Sequence, residues 1–296
     1  MKALVLAEHT DAARDLAAGA RIKADEVVLV VLGSSALPEN SADFAANVVA
    51  PEGVALDCAA ESLVAFADGQ GFGAVFVEPT RRLKIVAGKI AAHFGVSVIT
   101  DVLSFDAEGA KSMYFGGVAE RVQVPSGDVA VYTVAGGVFA GAEASGSNSP
   151  ISVDWVDPSV KVAVLDQKPV EKSGVDLTKA DVVVAAGRGF AAEEDLDLAR
   201  ALCDKLNAGL GCSRPLTEGV NWLPSETYIG VSGLMVSPKV YVAAGISGQM
   251  QHMVGCNRSD VVFAINKDKN APVFDQCDYG LIGDLKTVLP AIVEAL

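Results

Sequence analysis

Residues 240–268, VYVAAGISGQMQHMVGCNRSDVVFAINKD, hold two short apolar runs rich in β-branched residues, VYVAA at 240–244 and VVFAI at 261–265. A run that is apolar at every position suits a strand buried on both faces of a parallel sheet, and parallel neighbours need a crossover between them. The crossover opens with Gly245-Ile246-Ser247-Gly248, and 249–254 reads as a short helix. Strand, glycine turn, helix, strand is a βαβ unit whose helix start presents unpaired N–H groups and a positive dipole end, a seat for a pyrophosphate. Turns of this kind also serve as tight corners with nothing bound, so the motif alone leaves both uses open. Ser247, Gln249, Gln251 and His252 add polar groups to a turn walled by apolar strands, and such groups need partners.

The same rhythm runs through the chain. Strands are predicted at 4–7, 26–32, 74–77 and 96–100, with helices at 11–20, 61–68 and 81–94, which implies a parallel α/β sheet. Across 111–139 the pattern turns β-rich with glycine pairs at Gly116-Gly117 and Gly136-Gly137, predicting antiparallel strands added to the sheet edge. Residues 144–158 read as loop and 160–165 as one more strand. The segment KPVEKSGVDLTK at 168–179 is charged and aperiodic, so the expected organisation is a domain over 1–168, a linker over 169–179 and a second domain over 180–296. In the second domain a strand is predicted at 181–186, a helix at 193–208 with an acidic first turn, and a final helix at 285–296. Pro290 should kink that last helix or delay its start. The fold class is α/β in two domains.

With 296 residues, 51% of them hydrophobic, the chain can fill two cores. A net charge of −14 argues against nucleic acid or an anionic membrane as partner. No stretch is apolar for long enough to insert in a bilayer, and the opening MKALVLAEHT is too short an apolar run for a secretory leader, so a soluble, cytoplasmic protein is expected. The five cysteines are scattered without a C-x-x-C pair and the three histidines are dispersed, which predicts reduced thiols and no metal site.

Two further strand ends end in cations. Arg188 stands between Gly187 and Gly189, and Arg214 lies in Cys212-Ser213-Arg214-Pro215. Sheets of this class open their ligand crevice at such ends, where two arginines would converge on one anion. A solvated surface arginine is the plain alternative for Arg188.

The succession Gly187-Arg188-Gly189, Cys212 to Pro215, Gly230-Val231-Ser232-Gly233, Ser237-Pro238, GISGQMQH at 245–252, AINKD at 264–268, Ala271-Pro272 with Phe274, and DYGLIGD at 278–284 resembles the FAD domain of the electron transfer flavoprotein alpha subunit. The first domain is similar, less strongly, through Thr80-Arg81-Arg82, Gly88 to Ala92 and Thr100-Asp101. The resemblance implies a nucleotide-hydrolase-like α/β domain followed by a parallel-sheet FAD-binding domain. It also implies a heterodimer with a beta subunit and electron relay between flavin dehydrogenases and another acceptor. By position, Arg214 is implied to lie over the flavin ring, favouring its reduced, negatively charged forms. His252 falls near the pyrimidine carbonyl as a donor or a cation, and Ser232 faces flavin N5, Ser replacing the commoner Thr. Arg188, Ser213, Ile229, Gly230 and Val231 are implied to be cofactor-binding as well. Ser247, Gly248, Gln249, Met250 and Gln251 take the pyrophosphate and ribityl chain, while Asn266, Asp284 and Leu285 take the adenosine half. Asp284 is also an ordinary N-cap for the last helix.

The family turn G-Q-T-G is Gly230-Val231-Ser232-Gly233 here, so Val231 could serve flavin only through its backbone N–H. The segment PLTEGVNWLPSETYI at 215–229, with GISGQMQHMVG and INKDKNAP, resembles the Fix-type and carnitine-pathway branch, whose partners are acyl-CoA-type or crotonobetaine-type reductases. Some relatives bifurcate electrons with a second FAD on the beta subunit, which lies on another chain. Against the electron carrier stands an enzyme domain of related fold that holds a nicotinamide or thiamine cofactor. Such an enzyme wants an acid or base near the ring, and His252 is nearly the whole supply.

Overall fold

Strands that are apolar throughout need cover on both faces, and KALVLA and EVVLVVL receive it. In the computed structural model, which describes residues 1–166 and 175–296, they form β1 (Lys2–Ala7) and β2 (Glu26–Leu32). Ala3, Val5, Val27, Leu29 and Val31 pack on one face with Leu16 and Ala17 of α1 (Thr10–Ala20). The alternate residues Leu4, Leu6, Val28, Val30 and Leu32 pack on the other with Leu63 of α2 (Ala60–Ala67) and with Leu83 and Ile90 of α3 (Arg81–His93). Thr80 starts α3 as a side-chain cap, its Oγ1 accepting from Leu83 N at 3.1 Å.

The chain divides into two compact units, Met1–Tyr114 with Glu120–Pro169, and Phe115–Ala119 with Val170–Leu296. Among the described residues the first sheet continues with β3 (Phe44–Val48), β4 (Phe72–Val77), β5 (Val98–Phe105), β6 (Ala110–Tyr114), β7 (Ala119–Gln123), β8 (Ala130–Val134) and β9 (Ser149–Pro150), in the order β7-β6-β5-β8-β4-β1-β2-β3-β9.

Two expectations for this unit are corrected, and one strand goes unpredicted. Antiparallel addition holds for β6 against β5, but β8 lies inside the sheet, parallel to both β4 and β5. The reason is its sequence AVYTV: Val131, Tyr132 and Val134 are buried and need two covered faces. FAANV at β3 is a strand that apolar patterning misses, since its alanines and Asn47 have little β preference and the neighbouring β2 supplies the ladder. Residues 160–165 are not a strand. Their one bridge is Val54 to Ala163; Ala55 N donates to the Val162 carbonyl at 2.8 Å and Val162 N to Cys58 Sγ at 3.3 Å, and Leu165 is 95% exposed.

The second unit holds β10 (Val182–Ala186), β11 (Gly209–Cys212), β12 (Val240–Ala244), β13 (Val261–Asn266) and β14 (Tyr279–Ile282), all parallel, in the order β11-β10-β12-β13-β14. Counted along the chain this is 2-1-3-4-5, a doubly wound order whose direction switches between β10 and β12. The predicted helix 193–208 is a 3-10 turn, Glu193–Asp195, followed by α4 (Leu196–Leu206), which Asn207 ends in the left-handed conformation at φ 51°. A one-turn helix, α5 (Met250–Met253), follows β12, and α6 (Leu285–Ala295) closes the chain. Pro290 sits inside α6 without delaying its start.

Leu196 and Leu202 of α4 pack with Leu285 and Leu289 of α6 on one face of this sheet. The other face is sealed by Ile229, Val236, Met253 and Val273, from loops and α5. Residues 169–174 of the expected linker lie outside the described residues. Leu177, near its end, is 4% exposed and belongs to the second core. Among the described residues no helix is long and apolar enough to cross a membrane.

Candidate functional site

At the point where strand order switches, the C-terminal ends of β10 and β12 lead into two loops that meet backbone to backbone. Gly187 N donates to Ala244 O and Gly189 N to Gly245 O, each at 2.9 Å. A Cβ on Gly187 would stand 2.3 Å from the Gly245 carbonyl oxygen, so only glycine permits the approach. Above this floor opens a cleft of about 1020 Å³, lined from the ends of all five strands. That is the upper end of ligand-pocket volumes, roughly 300–1,000 Å³.

The loop after β12 supplies the most telling feature. Among the described residues the backbone N–H groups of Ser247, Gly248, Gln249 and Met250 have no partner. Gly248 holds φ +87°, and a Cβ there would stand 2.1 Å from Val273 N. Two hydrogen bonds pin the loop: Val273 N donates to Ser247 O at 3.0 Å, and Gln276 Nε2 to Gly248 O at 2.8 Å. The expectation of a helix dipole is corrected, because α5 is a single turn and its peptide dipoles sum to little. What remains for an anion is the run of free N–H donors.

Both arginines line the cleft. Among the described residues Arg188 has no hydrogen-bond or ion-pair partner. Arg214 Nε donates to Glu218 Oε2 at 2.6 Å, with both side chains 57% exposed. That bond raises the guanidinium's pKa, and its two Nη groups keep no protein partner among the described residues. Ser213 and Ser232 line the same wall, Ser232 Oγ standing 3.3 Å from Tyr228 Oη. Val231 corrects a second expectation: its backbone N–H already donates to Gln251 O at 2.8 Å, so it offers the cleft only its side chain.

His252 also lines the cleft but is 7% exposed, and burial pushes its pKa down to about 4, with the Ile229 backbone acting weakly the other way. Its ring is neutral at ordinary pH, which sets aside a resident cation at this position. Nε2 lies 2.7 Å from Tyr241 Oη, while Nδ1 is buried with no hydrogen-bond partner.

At the opposite end Asn266, Asp284 and Leu285 line the cleft. Asn266 Nδ2 donates to Ile246 O at 2.9 Å and its Oδ1 accepts from Asp268 N at 3.0 Å, so this side chain ties the strand end to the loop after β12. Asp284 caps α6, one oxygen accepting from Lys286 N at 2.8 Å. Of the expected site residues, Ile229, Gly230, Gly248 and Met250 are not among the residues that line the cleft, and Ile229 is fully buried in the core behind it. Sequence reasoning missed Tyr228, Lys267 and the Asp195–Lys286 ion pair at 2.9 Å. Lys267 was visible in AINKD, whereas Asp195 looked like a helix-start acid.

A model of the electron transfer flavoprotein FAD-binding domain matches residues 176–257, and one of the electron transfer flavoprotein domain matches residues 4–157. Protein FixB of Escherichia coli O139:H28 (strain E24377A / ETEC) is 41% identical over 233 residues, covering 76% of this chain and 74% of its own. Protein FixB of Escherichia coli O7:K1 (strain IAI39 / ExPEC) and that of Escherichia coli O1:K1 / APEC are similar to the same extent, 41% over 233 residues, 76% and 74%. A putative thiamin diphosphate-dependent enzyme from Mycobacterium smegmatis aligns with 97% of this chain and 54% of its own at 11% identity and a TM-score of 0.25, a likeness too slight to carry an argument. The chain belongs to the electron transfer flavoprotein alpha-subunit family, in its Fix-type branch, and its C-terminal unit is an FAD-binding domain of that family.

Proposed function

We propose that this chain is the FAD-holding subunit of a heterodimer with a beta-type subunit. It carries electrons between flavin dehydrogenases or acyl-CoA-type reductases and other redox proteins, and transforms no metabolite itself. The observation that carries the reading is the run of unpartnered N–H groups from Ser247 to Met250 at the switch point of a doubly wound sheet. Such donors match a pyrophosphate, and a cleft of about 1020 Å³ lined from all five strand ends has the volume for a dinucleotide.

The residues present fit FAD. His252 Nδ1 is a buried polar atom waiting for a partner, and the free Nη groups of Arg214 are fixed donors on the same cleft. When bound, FAD supplies reversible electron transfer. The chain's part is to hold and tune: the loop after β12 grips the pyrophosphate, and Asn266 and Asp284 flank the adenosine end. Arg188, Arg214, Ser232 and His252 surround the ring with donors and positive charge, which favour a negatively charged reduced flavin. Among the described residues no group of three His, Cys, Asp or Glu could hold a metal. His252 is neutral and buried, a poor general acid.

The test is to purify the chain with its co-expressed partner and count flavins. A yellow one-to-one pair carrying FAD on this chain is expected. A colourless chain that pairs with nothing, or that turns over a metabolite unaided, overturns the proposal.

A further inference from the structure

Tyr241, the second residue of β12, has no exposed surface, and its hydroxyl lies 2.7 Å from His252 Nε2. A buried phenol must place its proton, and a buried imidazole must choose which nitrogen carries one. Two arrangements satisfy the short contact. In the first the phenol O–H donates to Nε2, and the imidazole proton sits on Nδ1. In the second Nε2–H donates to the phenol oxygen, and the phenol proton must go elsewhere. The neighbour on offer is Cys256, a weak acceptor whose own S–H points at the Met253 carbonyl, 3.4 Å away. The second arrangement therefore leaves a fully buried hydroxyl only a weak sulfur acceptor, whereas the first gives it a full O–H to nitrogen bond.

We infer that Tyr241 is a positioning residue that fixes the proton of His252 on Nδ1, so that the imidazole presents an N–H donor to the cleft. The inference rests on the functional reading above for what that donor meets: a pyrimidine carbonyl that gains negative charge when flavin is reduced. It assigns the tuning to a pair eleven residues apart, Tyr241 on a strand and His252 on the following turn, and not to the histidine alone. Nδ1 is the ring nitrogen that lacks a full hydrogen bond among the described residues, the Ile229 backbone acting on the ring only weakly, and the side chain lines the cleft. A tautomer held by a buried phenol also needs no proton from solvent when the ligand's charge changes.

The measurement is nitrogen NMR of the full chain, labelled at histidine and purified with its partner subunit. The signals of His9 and His93 are separated from that of His252 by a His252→Asn variant. Wild type should show a pyrrole-type Nδ1 and a pyridine-type Nε2. Tyr241→Phe removes one oxygen and should move the proton wholly or partly to Nε2. In the same variant the preference of the site for reduced over oxidised flavin should fall about tenfold, or about 59 mV for one electron. In a His252→Asn background the Tyr241→Phe change should add nothing to that shift. Wild-type proton on Nε2 overturns the inference, as does a Tyr241→Phe protein with tautomer and potential unchanged. Should Tyr241→Phe fail to fold, the wild-type tautomer alone decides. The tautomer is read without flavin, so a chain that takes up no FAD sinks the functional reading while the Nδ1 assignment stands or falls on its own spectrum.

Discussion

Replacing Gly248 by valine tests whether the loop after β12 is the grip for the cofactor. The new Cβ would meet Val273 N at 2.1 Å, Val273 Cα at 2.4 Å and the Pro272 carbonyl carbon at 2.7 Å, all backbone atoms that no rotamer change can move. A left-handed residue other than glycine costs about 1–2 kcal/mol, and more for a β-branched one. Pushing the turn Pro272–Asp275 away also breaks the two bonds that pin the loop, each contributing about 1 kcal/mol. The sum, roughly 3–4 kcal/mol, lowers the population of the gripping loop by about two to three powers of ten, and FAD affinity falls with it. The assay is flavin titration by fluorescence, beside flavin-to-protein ratio after gel filtration. Gly69→Ala is the control: it shares a positive φ of +69° but has nothing within 4 Å, so it should lose some stability and no flavin. An affinity for Gly248→Val within about threefold of wild type refutes the assignment of this loop.

Arg214→Ala should lower the flavin potential by on the order of tens of millivolts, and Glu218→Gln, which frees the guanidinium from its counter-charge, should raise it; a redox titration that leaves both unchanged removes Arg214 from the ring. The folded pKa of His252 is about 4 against 6.5 for a free imidazole, so the unfolded chain binds the extra proton between those values. Stability should therefore be full above about pH 6.5 and fall as pH drops towards 4, by about 3 kcal/mol, and His252→Gln should flatten that part of a urea-denaturation profile. Burial pushes the thiols of Cys203 and Cys256 up to about 12 and Cys212 up to about 11, and Cys277 is the cysteine that is not buried. A thiol reagent near pH 8 should modify Cys277 first and the others only on unfolding; rapid reaction of Cys203, Cys212 or Cys256 in the native chain contradicts the packing.

Continuous apolar runs were legible because burial on both faces leaves no polar position to blur them. EVVLVVL is β2 from Glu26 to Leu32, and VYVAA is β12. FAANV carries too little side chain to announce a strand, and only the parallel neighbour it pairs with makes it one. VAVL at 162–165 failed in the other direction, an apolar run held by one isolated bridge and not by a strand ladder. At the site the glycine turn and the two arginines stood out, because glycine and charge at strand ends are chemically conspicuous. The bond from Val231 N to Gln251 O and the Tyr241–His252 contact did not. Both link residues whose pairing depends on how loops fold back, and residue type says nothing of that.

The second sheet has one flank clad in helices and the other closed by Ile229, Val236, Met253 and Val273, all borne on segments at or beside the cofactor cleft. Whatever disturbs those segments loosens a hydrophobic wall as well as a binding pocket. Gaining the flavin and completing the interior are thus one event for this half of the molecule, and the empty form should open from that flank while the helix-clad flank holds.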